Sequence, residues 1–317
     1  MRRRTLALAL AGIAIGLAAQ AQDKPPLKIL VGFPPGGSAD LIARLLADAL
    51  RDDFSPIIVE NRAGAGGRIA LTTLKNAKPD GQTVIVLPSG PMVLFPHVYR
   101  KLDYDAVHDF TPISELARFQ FGVVAGPASH AKDIAQMLAD AKAHPEAATY
   151  GTAGTGTLPH FMGVLLTQST GVPLTHIPFQ GSSPANTALL GGHVAYKFDV
   201  VSETAELHRA GKVHILAVTG PRRDPQVPEV PTLKEQGIAM EATAWFGMYA
   251  PAGLPPAVLA RLEKAVGAAI RTPALHDKLQ HLGYEPVGST SAELAAVQRQ
   301  DLARWEKPIK ATGVVLD

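Results

Sequence analysis

Leu27-Lys28-Ile29-Leu30-Val31-Gly32-Phe33-Pro34-Pro35-Gly36-Gly37-Ser38-Ala39-Asp40-Leu41-Ile42-Ala43-Arg44-Leu45-Leu46-Ala47-Asp48-Ala49-Leu50 joins three unlike segments. Lys28 to Gly32 reads as a strand in which Ile29, Leu30 and Val31 are apolar without alternation, the mark of a strand covered on both faces, as in a parallel sheet. Two prolines and two glycines follow. Then Leu41, Ile42, Leu45, Leu46 and Ala49 fall on one side of a helix and Arg44, Asp48 and Arg51 on the other. Ser38 suits the N-cap, and Asp40 places a carboxylate in the first turn. A strand thus feeds a glycine loop that opens a helix, where free backbone N–H groups favour an anion. Gly36 and Gly37 let a ligand approach the backbone closely.

The N-terminus reads differently. Arg2-Arg3-Arg4, an apolar run from Leu6 to Leu17 and Ala19-Gln20-Ala21 form a secretory signal peptide over residues 1–21, so the mature chain is expected in the periplasm. Removing that segment removes three arginines and no acids, leaving 27 basic and 28 acidic residues from totals of 30 and 28. No basic stripe remains, so nucleic acid is not an expected partner. Cysteine is absent, which excludes disulfides, thiolate metal sites and a cysteine nucleophile.

Further along, the opening pattern recurs. Pro56 to Glu60 is a strand, followed by Asn61-Arg62-Ala63-Gly64-Ala65-Gly66-Gly67 and a helix from Arg68. This is not a dinucleotide fingerprint, because Ile69 stands where the third glycine belongs. It is either a tight turn or a ligand-facing loop. Thr83 to Leu87 is a strand whose carboxyl end carries Ser89, where open α/β sheets bind ligands; a solvated turn serine is the alternative. Ala148 to Tyr150, then Gly151-Thr152-Ala153-Gly154-Thr155-Gly156-Thr157, then a helix with Pro159 in its first turn, give another set of amides and hydroxyls at a helix start. Thr157 stands where a P-loop needs lysine. His160 has no accompanying nucleophile motif, and the other histidines lack metal-ligand spacing. Asp199 ends the strand Val194 to Phe198. It either accepts from an amino or amide group of a ligand or caps the helix that starts near Ser202. The nearest cations to the two loops along the chain are Arg44, Arg62 and Arg68. Apolar positions at helical spacing over Pro255–Ile270, Pro273–Leu282 and Ala292–Lys310 predict a helical tail.

The alternation of strands and helices predicts an α/β protein of two doubly wound domains with a ligand cleft between them. Domain 1 is expected to comprise residues 22–122 and 244–317, and domain 2 residues 123–243. The crossings fall near Phe119–Val123 and Thr243–Phe246.

Phe33-Pro34-Pro35-Gly36-Gly37 with Asp40 resembles the signature loop of the Bug receptors, the TctC-like extracytoplasmic solute receptors of tripartite tricarboxylate transporters. Glu60-Asn61-Arg62 with Gly64 to Gly67 resembles the family's second signature, in which Ala65 lies. Further matches are Asp109 to Ile113, Gly151 to His160, Phe179-Gln180-Gly181, Phe198-Asp199, Ala217-Val218-Thr219, Val230-Pro231-Thr232 and Trp245-Phe246-Gly247. The resemblance covers the mature chain. It implies a type II periplasmic-binding-protein fold, no catalysis and no cofactor or metal. It also implies capture of a small carboxylate by two pincer loops, Phe33, Gly36, Ser38 and Asp40 on one and Thr152, Gly154, Thr155, Thr157 and His160 on the other. It leaves open whether the ligand is a dicarboxylate, a tricarboxylate, an acidic amino acid or an aromatic acid, and implies delivery to membrane permease subunits; a monomeric receptor is expected. Phe179 and Gln180 depart from the tyrosine and basic residue common there, and Leu158-Pro159 is unusual. Two other readings are a ligand-dependent sensory partner of a signalling system and a secreted hydrolase, the latter without a nucleophile motif.

Overall fold

The computed structural model describes residues 25–317; the signal-peptide reading of residues 1–21 lies outside them. β1 (Leu27–Val31) is followed by α1 (Ser38–Ala49), β2 (Ile57–Asn61), α2 (Arg68–Lys75) and β3 (Thr83–Pro88). β1 pairs in parallel with β2 on one side and β3 on the other. The apolar run predicted this: Ile29, Leu30 and Val31 are fully buried. Two short helices, α3 (Gly90–Val93) and α4 (Phe95–Val98), lead to β4, which runs from Phe110 to Ala125.

The second lobe is built the same way. After α5 (Ile134–Ala143), β5 (Thr149–Thr152), α6 (Leu158–Thr170), β6 (Thr175–Pro178), α7 (Ser182–Leu190) and β7 (Tyr196–Val200) form two parallel crossovers, with β5 between β6 and β7. α8 (Ala205–Arg209) and β8 (His214–Val218) complete the lobe, and β9 (Thr243–Pro251) returns the chain. α9 (Pro256–Arg271), α10 (Pro273–His281), β10 (Glu285–Pro286) and α11 (Ser291–Ala311) then cover the first lobe, with β10 and α11 against β4. A capping box of Thr290 and Glu293 starts α11.

The strand order is β2-β1-β3-β9-β4-β7-β5-β6, with β8 and β10 also on β4. The alternation of strands and helices suits parallel pairing, and the middle of the sheet differs. β9 is antiparallel to both β3 and β4, and β4 is antiparallel to β7 and β8. The reason is connectivity: β4 carries the chain out of the first lobe and β9 carries it back through the same waist. β4 pairs with β9 as far as Gln120 and with β7 from Phe121 onward.

Two local expectations are corrected. Gly37, not Ser38, occupies the N-cap of α1, without a side-chain cap. The buried stripe of α1 includes Ala39, Ala43 and Ala47 beside Ile42 and Leu46, whereas Leu41, Leu45 and Ala49 are half-buried. Alanines on that stripe bring the helix close to the sheet.

Gly32, at the end of β1, positions the first loop against the second glycine turn. A Cβ there would lie 2.7 Å from the Cα of Gly67, which is backbone and cannot turn aside. Gly32→Ala should therefore push the two turns apart and destabilise the protein by about 1–3 kcal/mol, the usual cost of overpacking. Urea unfolding of the two forms checks it, and an unchanged midpoint would refute the close-approach argument.

Candidate functional site

The first loop is held by Asp40. Its carboxylate accepts from the Gly36 amide at 3.0 Å, from Asn61 Nδ2 at 2.9 Å and from Arg44 Nε at 2.9 Å. Asn61 also donates to the Phe33 carbonyl at 3.0 Å. Burial pushes the Asp40 carboxyl up, but the hydrogen bonds from Arg44, Gly36 and Asn61 outweigh it and leave it below its ordinary value. Gly36 has φ 88°, and its amide faces Asp40 rather than the cleft. Asp40 and Gly36 therefore shape the loop from behind.

The second glycine turn has positive φ at four successive residues: 134° at Gly64, 48° at Ala65, 65° at Gly66 and 99° at Gly67. Ala65 is the only non-glycine among the described residues in that region. The turn abuts the loop after β5, because a Cβ on Gly66 would lie 3.7 Å from the Thr155 carbonyl oxygen. Ala65 and Thr155 sit at this junction and do not line the cavity described below.

The loop after β5 is braced in a similar way. The Thr152 hydroxyl lies 2.7 Å from His176 Nε2 and 3.2 Å from the Gly154 carbonyl. The Thr157 hydroxyl donates to the Gly154 carbonyl at 2.7 Å, and the Gly156 amide donates to His160 Nδ1 at 3.2 Å. His160 stacks on His176 with ring centres 4.1 Å apart. Thr152, Gly154 and His160 thus stand behind the loop, and Thr157 faces the cavity.

The loops meet at a cavity whose empty space, open mouth included, is about 750 Å³. Phe33, Pro34, Ser38 and Ala39 line it from the first loop, Ser89 and Pro91 from the end of β3, and Thr157, Leu158 and Pro159 from the second loop. Phe119, Phe121 and Phe246 of β4 and β9 form its floor, with Phe119 stacked on Phe246 at 4.5 Å. Ser182, Asp199 and Glu203 close the far side. Of the residues anticipated from sequence, Phe33, Ser38, Ser89, Thr157 and Asp199 come together on this wall. Gly36, Asp40, Ala65, Thr152, Gly154, Thr155 and His160 lie behind it.

Chemically, the wall is apolar with a few hydroxyls. The N-termini of α1 and α6 open onto it from opposite lobes, each leaving first-turn amides without an intrahelical acceptor. Its charged side chains are both acidic. Arg44, Arg62 and Arg68, the nearest cations along the chain, are all engaged elsewhere. Arg44 is engaged with Asp40, Arg62 with Glu60, and Arg68 lies over the Tyr99 ring. A further cation, Lys197, lies behind the wall, fully buried and paired with Asp199. Its ammonium also donates to the Ser182 hydroxyl at 2.7 Å and to Asn186 Oδ1 at 2.8 Å, and Ser182 donates to Asp199. Asp199 therefore does not cap the following turn, whose N-cap is Val200. Strand periodicity was the missed signal: Lys197 and Asp199 are two apart on β7 and share a face.

The family model for the tripartite tricarboxylate transporter family receptor matches residues 42–314. A protein of Pseudomonas sp. (strain P51), described as a UPF0065 protein in the tcbD-tcbE intergenic region, is 35% identical, covering 97% of this chain and 94% of that one. The periplasmic binding protein BugD superposes with a TM-score of 0.87 at 30% identity, over 92% of this chain and 99% of its own. MatC of Rhodopseudomonas palustris, solved with bound malate, gives 0.85 at 31% identity over 90% and 99%. R. palustris Rpa4515, solved with adipate, gives 0.88 at 30% identity over 93% and 99%.

The stacked histidines generate a pH dependence. Burial pushes His160 down to about 4. Burial, with the charge of His160, pushes His176 down to about 3. The unfolded chain takes up these protons first as pH falls. Their stabilisation is therefore complete above about 6.5 and is lost as pH drops towards 4. His160→Gln keeps an acceptor for the Gly156 amide without the titration. Compared with this variant, the wild type should lose on the order of 2 kcal/mol more between about pH 7.5 and 4.5. Chemical denaturation across that range checks it, and parallel slopes would refute it.

Proposed function

The chain belongs to the tripartite tricarboxylate transporter receptor family, and we propose from that premise that it captures a small carboxylate in the cavity between its lobes. It does so in the periplasm and delivers the ligand to the membrane permease of such a transporter. The observation that carries this reading is the pair of helix N-termini, of α1 and α6, which open on one apolar cavity from opposite lobes. Malate and adipate in structurally similar family members support the carboxylate. The signal-peptide pattern and the periplasmic BugD support the compartment, and among the described residues no helix is long and apolar enough to cross a membrane. We place the domain boundaries at 122/123 and 243/244, supported by the change of β4 partner after Gln120.

In this reading Phe33, Ser38, Ser89, Thr157 and Asp199 touch the ligand, and Gly36, Asp40, Ala65, Thr152, Gly154, Thr155 and His160 keep the loops in shape. Binding is stoichiometric and no bond is broken. The magnitudes favour the body of the ligand over its charge. A helix end contributes about 0.3–1 kcal/mol when exposed and up to ~2 when partly buried. Each methylene placed on the phenylalanine and proline wall contributes about 0.8 kcal/mol, so a four-methylene chain outweighs either helix end.

Isothermal titration with malate, adipate, hexanoate, aspartate and nicotinate, and with the methyl ester of each acid that binds, tests the reading. At least one acid should bind one to one without turnover, and esterifying it should cost about tenfold or more, since a charge-assisted hydrogen bond is roughly twice as strong as a neutral one. Silence across the whole panel, or equal affinity for acid and ester, would overturn the carboxylate reading. Closure has its own measurement. Two lobes joined by two strands should swing together on the ligand. Small-angle scattering should then show a smaller radius of gyration at saturation, and an unchanged profile would argue against a hinged trap.

A further inference from the structure

The anion cradle at the start of α1 is already filled by the protein. Glu203 ends the short turn Val201–Glu203 after β7, in the second lobe, and its side chain reaches the first lobe. One carboxylate oxygen, Oε1, accepts from the Ser38 amide at 2.7 Å and from the Ser38 hydroxyl. A Cβ on Gly37 would stand 3.8 Å from the same oxygen. The turn that presents it is fixed on several sides. The Thr204 amide donates to the Val201 carbonyl at 3.0 Å, Asn186 Nδ2 to the Glu203 carbonyl at 3.4 Å, and the Ser202 and Tyr284 hydroxyls lie 2.6 Å apart.

The charges around Glu203 sharpen the point. Lys197 and Asp199 face it from β7 and Tyr284 from the first lobe. Lys197 is committed to Asp199, Ser182 and Asn186. Burial, and then the Asp199 charge, push the Glu203 carboxyl above its ordinary value. The start of α6 differs: Thr157 and Leu158 line the cavity, the Thr157 hydroxyl donates to the Gly154 carbonyl, and among the described residues no carboxylate accepts from them as Glu203 does from Ser38.

We propose that Glu203 is a specificity-determining residue: by holding the Ser38 cradle in place of a ligand carboxylate, it makes this receptor select acids with one carboxylate, seated at the start of α6, and an apolar body over dicarboxylates of the same length. This rests on the carboxylate-receptor reading above and narrows it. A second carboxylate would have to displace Glu203 from Ser38 or lie against it and Asp199. An apolar chain can lie instead on Phe33, Phe119, Phe121 and Phe246 of the wall.

Hexanoate and adipate share a six-carbon chain and differ by one carboxylate, so their affinity ratio isolates the effect. Titration of the wild type, Glu203→Ala and Glu203→Gln at fixed ionic strength supplies the test. The wild type should prefer hexanoate by about tenfold or more. Glu203→Ala, which empties the cradle, should bring the ratio to about one or reverse it. Glu203→Gln, which keeps an acceptor for Ser38 but no charge, should fall between and carries the test if the alanine variant does not fold. Binding of adipate by a variant alone, with the wild type silent to it, would also support the proposal. A wild-type preference for adipate, a ratio unchanged by both substitutions, or silence of every form to both acids would overturn it. The wider reading stands or falls separately, on whether any acid of the larger panel binds.

Discussion

Across the waist, β4 runs out of the first lobe and β9 runs back beside it, paired antiparallel from Phe110 and Pro251 to Gln120 and Thr243. This pairing constrains what surrounds it. On one side β3 must dock on β9, which brings the end of β3 and Ser89 to the cleft; the Ser89 amide donates to the Trp245 carbonyl at 2.8 Å. On the other side β7 docks on the second half of β4, so Asp199 arrives opposite Gly122. Phe119, Phe121 and Phe246 belong to the crossing strands themselves, and Tyr284 meets Phe119 and Phe246 edge-on. The floor of the cavity is thus the same structure that joins the lobes. A change there reaches both the hinge and the ligand wall.

Lys197 is the second constraint. An ammonium with no solvent exposure persists only with a partner and satisfied donors, because removing one member of a buried pair costs roughly 3–5 kcal/mol. Here Asp199, the Ser182 hydroxyl and carbonyl, and Asn186 supply the acceptors. The consequence for the cleft is geometric. Ser182 opens α7 and Asn186 lies one turn further, so the buried ammonium ties that helix to the face of β7. The wall carrying Asp199 and Glu203 is therefore not an independent loop but part of the second lobe's packing.

Much of this was legible in the sequence, and the exceptions have physical causes. The strand, glycine loop and helix units could be read from apolar runs and punctuation because those features are local. The direction of β9 could not, since Thr243–Pro251 is apolar enough for either sense and only the return of the chain through the waist decides it. Ser38 has the chemistry of an N-cap, yet Gly37 takes that place and the Ser38 hydroxyl turns to Glu203, a residue 165 positions away. Asp40, His160 and Thr152 were recognisable as belonging to the two loops. That they face backwards, towards Arg44, Gly156 and His176, is a matter of side-chain direction that spacing in a loop does not encode. Glu203 left no sequence signal at all, because a three-residue turn has no periodicity. Lys197 did leave one in the alternation of Tyr196-Lys197-Phe198-Asp199, where the two charges share a face.

The division of labour on the cavity wall follows from these placements. A cation aimed at the ligand would hold any anion strongly and discriminate little among acid bodies. In this chain the buried cation Lys197 is bound to Asp199, and Arg44, Arg62 and Arg68 beside the loops are engaged with Asp40, Glu60 and the Tyr99 ring. With the Ser38 amide and hydroxyl taken by Glu203, what is left to hold a ligand carboxylate is peptide dipole and hydroxyl at the second loop, each modest in strength and directional. An anion held this way is oriented more than it is gripped, and the remaining affinity must come from fitting its body against proline and phenylalanine. Affinity then tracks apolar contact area, about 25 cal/mol per Å² buried, and in the proposed hinged trap opening the waist would lose that contact all at once. A receptor that has to let go of its ligand is better served by a contact that vanishes when the lobes part than by a charge that persists in either state.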